Sequence, residues 1–124
     1  MSTKFLGLRT VGYKVDDINA AKEWYTIVLG VEPYFDQPFY VGYNVAGYEL
    51  GLHPEPKSGK VKINNLLAYW GVDDVDAAFD ELISQGATEI EEPMDVGEGI
   101  IVASVKDPWG NAFGIIYNPH FKLE

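Results

Sequence analysis

Few residues in this chain could do acid–base or metal chemistry, and one carboxylate stands apart from the rest. Glu49 lies in YELGLH (48–53), where polar and apolar residues alternate and His53 follows four places on. In a strand, alternation sends Glu49, Gly51 and His53 to one face and Leu50 and Leu52 to the other. A carboxylate in a partly apolar cleft can have its pKa raised into the range of a general base. The same group could instead pair with Lys14 and serve only structure. Metal chemistry is harder to assemble. His53 would stand about 13 Å from Glu49 along a strand, whereas metal–ligand bonds to zinc are roughly 2 Å, so one ion cannot take both. His120, the other histidine, falls in the tail NPHFKLE and reads as a surface residue. The chain has no cysteine, which removes disulfides and thiolate sites together. Tyr40, Tyr69 and Trp109 complete the candidates. Their ring faces can stack on planar ligands and attract cations, or can simply pack in a core.

The elements that must position these residues are written twice. VDDINAA (15–21) returns as VDDVDAA (72–78), each time after an apolar strand-like run, LRTVGYKV (8–15) or NLLAYWGV (65–72). Asp17 and Asp74 stand where a side chain can cap a helix N-terminus. Helices are expected over about 18–29 and 75–85, closed by Gly30 and Gly86. Their apolar stripes are Ala21, Trp24, Tyr25, Val28 and Val75, Ala78, Phe79, Leu82. Three strands should follow each helix, at about 33–36, 39–45 and 48–53, then 89–93, 99–106 and 111–118. Ala46-Gly47 and Asp107-Pro108-Trp109-Gly110 supply hairpin turns. The order β-α-β-β-β, twice, predicts an α+β fold in one 124-residue domain. Module one spans 5–54 and module two 63–119, joined by a linker at 55–62 around PEPKSGK.

Alternation also sorts the strand faces. Val11, Tyr13 and Val15, Leu66, Ala68, Trp70 and Val72, Phe39, Val41, Tyr43 and Val45, Tyr48, Leu50 and Leu52, and Phe113, Ile115 and Tyr117 should pack under the helices. The opposite faces carry Thr10 and Lys14, Tyr40 and Asn44, Glu49 and His53, Leu67 and Tyr69, and Ala112 and Ile116. Each of those five faces also places one glycine there: Gly12, Gly42, Gly51, Gly71 and Gly114. Glycine weakens a strand interior, so five on matching faces imply a sharply curled sheet, or room kept for a ligand.

The net charge of −10 is uneven, because ten acids and no lysine or arginine lie between Lys62 and Lys106. Nucleic acid is disfavoured as a partner, since phosphate binding needs a basic footprint. The acidic stretch reads as a solvated face or as a field that attracts a cationic ligand. No apolar run approaches the length of a membrane span, and MSTKFLGL does not read as a signal peptide, so a cytoplasmic location is the expectation.

This arrangement resembles the vicinal oxygen chelate superfamily, the glyoxalase / bleomycin-resistance / dioxygenase group. The resemblance is carried by VGYKVDDINAAKEWYTIVLGVEP (11–33), VDDVDAAFDELISQGA (72–87) and VKDPWGNAFGI (105–115). It implies a curled mixed-sheet cleft built by two modules, and commonly a homodimer. In metal-dependent members four ligands sit on the first and last strands of the modules. The matching positions here are Thr10, Glu49, Leu67 and Gly114, of which only Glu49 is a competent ligand. The resemblance therefore implies no metal and no cofactor for this chain. Two functions remain. One is a metal-independent protein that binds a small cationic or aromatic molecule using Thr10, Lys14, Tyr40, Asn44, Glu49, His53, Leu67, Tyr69, Trp109 and Gly114. The other is a metal-independent lyase or isomerase with Glu49 as general base.

Overall fold

The structure, a computed structural model, describes residues 3–4, 6–55 and 66–121. It divides into two compact units, Met1–Lys57 and Ser58–Glu124. Apart from Glu55, the expected linker 55–62 lies outside the described residues.

In the first unit, β1 (Thr10–Val15) leads into α1 (Ile18–Leu29), followed by β2 (Phe35–Gln37), β3 (Tyr40–Val45) and β4 (Tyr48–Pro54). The second unit repeats the order with β5 (Tyr69–Gly71), α2 (Val75–Ser84), β6 (Thr88–Gly97), β7 (Ile100–Lys106) and β8 (Ala112–Tyr117). The sheets match as well. Their strand orders are β1-β4-β3-β2 and β5-β8-β7-β6, with the first strand parallel to the last and the other pairs antiparallel. The duplicated sequence builds a duplicated fold.

The repeated aspartates explain where the helices begin. An Asp17 side-chain oxygen accepts the Ala20 N–H at 3.1 Å, and Asp74 accepts that of Ala77 at 3.0 Å, each satisfying an orphan donor of the first turn. Gly30 ends α1 at φ 73°, a left-handed conformation suited to glycine. Beneath the helices lie two small cores. One gathers Tyr13, Val15, Ala21, Tyr25, Val41, Tyr43, Leu50 and Leu52; the other gathers Val75, Phe79, Leu82, Ala103, Val105, Phe113 and Ile115.

Several expected packing positions are corrected. Phe39 is 65% exposed because Pro38-Phe39 form the β2–β3 turn, so β3 starts at Tyr40. Leu66 is 83% exposed: it precedes β5, so no sheet fixes its face. Tyr48 and Tyr117, at strand ends, are also exposed. The strand expected to stop at Pro93 runs on to Gly97, because β6 is an edge strand whose register shifts on either side of Glu91. An edge with such irregularities accommodates proline's missing N–H.

Candidate functional site

In the first unit, β1, β3 and β4 bring the candidate residues together on the face opposite α1. Register sets Thr10 and Asn44 on either side of Glu49, Gly12 and Gly42 beside Gly51, and Lys14 beside His53. The Glu49 carboxylate accepts one hydrogen bond from Tyr34 Oη at 2.7 Å and another from Tyr40 Oη, on its other oxygen. These two phenols are its hydrogen-bond partners. Thr10 completes the cluster by hydrogen bonding to Tyr40. The Tyr40 ring meets His53 edge-on, with centroids 5.0 Å apart, and lies 6.1 Å from Phe35.

The hydrogen bonds from Tyr40 and then Tyr34 hold Glu49 below its ordinary pKa and outweigh its slight desolvation. Burial, followed by the hydrogen bond to Glu49, pushes the Tyr40 phenol up to about 12. At neutral pH the cluster therefore holds one ionised carboxylate between two neutral phenols. Beside it a depression of about 260 Å³ is lined by Tyr34, Asn44, Gly47, Tyr48 and Glu49 among others.

The glycines of this face have a direct explanation. A Cβ on Gly51 would come within 2.6 Å of the Tyr40 ring, and one on Gly12 would stand 2.9 Å from His53 Nε2. On Gly42 it would meet both Tyr34 and Tyr40 at 3.1 Å. The space that glycine leaves here is filled by the chain's own rings.

In the second unit, Tyr69 crosses Gly114, whose added Cβ would lie 2.7 Å from the Ala68 carbonyl oxygen and 2.8 Å from Tyr69 Cδ1. Gly71 is different: among the described residues nothing lies within 4 Å of where its Cβ would stand. Leu67 is half-buried just before β5. Trp109 sits in the turn after β7, where Asp107 Oδ1 accepts the N–H groups of Trp109 and Asn111 at 2.9 and 2.8 Å. The DPWGN motif is thus a turn organised by one buried aspartate, 3% exposed.

The sequence profile of the Glyoxalase/Bleomycin resistance protein/Dioxygenase superfamily matches residues 7–115. The chain belongs to this superfamily. Among solved structures, a glyoxalase-related enzyme from Fulvimarina pelagi superposes with a TM-score of 0.79 at 17% identity, over 97% of this chain and 94% of that one. A lactoylglutathione lyase from Agrobacterium tumefaciens gives 0.73 at 20% identity, covering 98% and 100% of the two chains. A superfamily enzyme from Burkholderia phytofirmans gives 0.72 at 22% identity, covering 87% and 95%. At these identities the likeness is one of fold. No curated protein matches the sequence.

Against the superfamily's four ligand positions, Leu67 and Gly114 offer no donor atom, the Thr10 hydroxyl bonds Tyr40, and both Glu49 oxygens accept from phenols. Among the described residues no three His, Asp or Glu side chains converge as a metal site would require. The expected site residues fall into two groups. Thr10, Tyr40, Glu49 and His53 meet in the first unit, while Tyr69 and Gly114 meet in the second. Asn44 accepts the Gly47 N–H at 2.7 Å and so shapes the β3–β4 turn, beside the depression it lines. Tyr34 was not foreseen. It precedes β2, where alternation assigns no face, and its signal was indirect: Gly42 needed something to cover it.

Proposed function

We propose that this superfamily member is a metal-independent binding protein that holds a small organic cation against the Glu49 cluster. The observation that carries this reading is a carboxylate accepting from two phenols and kept ionised by them. A carboxylate flanked by aromatic faces attracts an ammonium group through both charge and ring quadrupoles. Asn44 lines the same depression as Tyr34, Tyr48 and Glu49. The general-base alternative needs a raised pKa, and the two phenol hydrogen bonds act in the opposite direction. Metal independence rests on the chemistry of the four positions: two without donors, one hydroxyl, and a single carboxylate.

Calorimetric titration with choline and its neutral counterpart 3,3-dimethylbutan-1-ol tests this. Choline should bind more tightly than the alcohol, and Glu49→Gln should weaken choline about tenfold or more while leaving the alcohol unchanged. Stoichiometric transition metal in the purified chain, lost on Glu49→Ala, would overturn the reading.

A homodimer accompanies this proposal. The edge strand β6 exposes Ile90, Met94 and Val96 at 41, 49 and 55%, and exposed apolar edges favour a partner. Light scattering finding only monomer at micromolar concentration refutes it.

A further inference from the structure

At the end of β5 the second unit carries a depression in which the Glu49 cluster has no part. Its volume is about 520 Å³, and its lining includes Tyr69, Gly71, Asp73, Tyr117, Asn118 and Phe121. Three observations make it a built feature. Its floor is open: Gly12, Gly42, Gly51 and Gly114 each lie against a ring of the chain, whereas among the described residues Gly71 has nothing within 4 Å of its Cβ direction. One wall is fixed in advance, because Tyr69 is laid across Gly114 with Cδ1 2.8 Å from the Cβ position. A ring already held in place loses little freedom when a ligand stacks on it. The tail forms a tied turn. Asn118 Oδ1 accepts the His120 N–H at 2.9 Å, Phe121 N–H donates to the Asn118 carbonyl at 3.3 Å, and His120 Nε2 lies 2.8 Å from the Glu98 carbonyl oxygen. This turn holds Phe121 at the depression although the residue is 63% exposed.

The electrostatics select the ligand's sign. Among the described residues Asp73 is the one charged residue of the lining, and its carboxylate favours a cation over an anion. We infer that this depression is a binding site for a planar aromatic cation, with its ring over Gly71 beside Tyr69 and Phe121 and its charge toward Asp73. Ring stacking and a nearby carboxylate act together on such a ligand.

The test titrates 1-naphthylmethylammonium and neutral 1-naphthalenemethanol calorimetrically into the full chain. The cation should bind more tightly than the alcohol. Gly71→Leu, which fills the floor where no atom stands in the way, should weaken both probes about tenfold or more, and Phe121→Ala should weaken both without touching the sheet. Asp73→Asn should weaken the cation about tenfold and leave the alcohol unchanged. Glu49→Gln should alter neither probe, which separates this site from the one in the first unit. The inference is overturned if neither probe binds at millimolar concentration, if binding ignores Gly71→Leu, Phe121→Ala and Asp73→Asn, or if Glu49→Gln carries the loss.

Discussion

In the first unit Gly12, Gly42 and Gly51 lie under His53, Tyr34 and Tyr40, while in the second Gly114 lies under Tyr69 and Gly71, among the described residues, lies under nothing within 4 Å. The frames beneath are the same, with the same strand order and the same aspartate cap at each helix. The difference teaches that duplication copied the frame and left the faces free to diverge. Large rings cover the first face from β3, β4 and the segment before β2. On the second, Tyr69 of β5 covers Gly114 and leaves the strand's other glycine bare.

The sharpest way to break this comparison is to add one methyl group on each kind of floor. In Gly114→Ala the new Cβ meets the Ala68 carbonyl oxygen, a backbone atom that cannot swing aside, so β5 and β8 must separate. A loss of about 3 kcal/mol is expected, at the upper end for overpacking, and with it a fall in Tm of roughly 10 °C. Gly71→Ala meets no atom and should stay within about 0.5 kcal/mol of the parent. Urea and thermal unfolding measure both, and equal penalties would undo the distinction.

Gly51→Ala should fall between these two. Its Cβ strikes the Tyr40 side chain, which can rotate away at the expense of its hydrogen bond to Glu49 and its packing on His53. About 2 kcal/mol is expected. The same substitution in a Tyr40→Ala background should cost far less, since the clash has gone. A penalty unchanged in that background would mean that strand geometry, not the ring, demands glycine.

Much of this was legible in the sequence. Helix starts follow from Asp17 and Asp74, helix ends from Gly30 and Gly86, and strand faces from alternation, because each rule is local. Glu49 was placed by the same alternation. Tyr40 was placed on the same face, but its bond to Glu49 follows from sheet pairing, and Tyr34 comes from a segment with no periodicity of its own. Gly71 and Gly114 also read alike in the chain, two glycines on matching faces. Only the path of Tyr69 tells them apart. The tail NPHF carried no periodic signal, yet Asn118 and His120 tie it down through side-chain-to-backbone bonds.

The frame offers a control for the comparison. Asp17→Ala and Asp74→Ala each remove one N-cap acceptor in equivalent places, so each should lower stability by about 1 kcal/mol. Unfolding curves that agree between the two variants support a copied frame, and a clear inequality would show that the caps have diverged as the faces have.

The smallest effect concerns protons, and its sign differs at the two ends of the pH scale. Glu49 is held below its ordinary 4.5, so the stability it contributes is present above that value and fades as pH falls through the lowered one. Tyr40 is raised from 10.0 to about 12, so its contribution is present below 10.0 and fades as pH climbs toward 12. Glu49→Gln weakens both linkages. The stability gap between parent and variant should be widest between about pH 4.5 and 10, at about 1 kcal/mol once solvent access to Glu49 is allowed for. It should narrow toward either extreme. Ultraviolet titration of the eight tyrosines reads the same box directly. The parent should show one phenol ionising near 12, and in Glu49→Gln that transition should move toward 10.0 without reaching it, because burial remains the larger cause. A Tyr40 transition untouched by Glu49→Gln would mean that the two groups do not meet in solution, and that the first unit's face is as open as the second's.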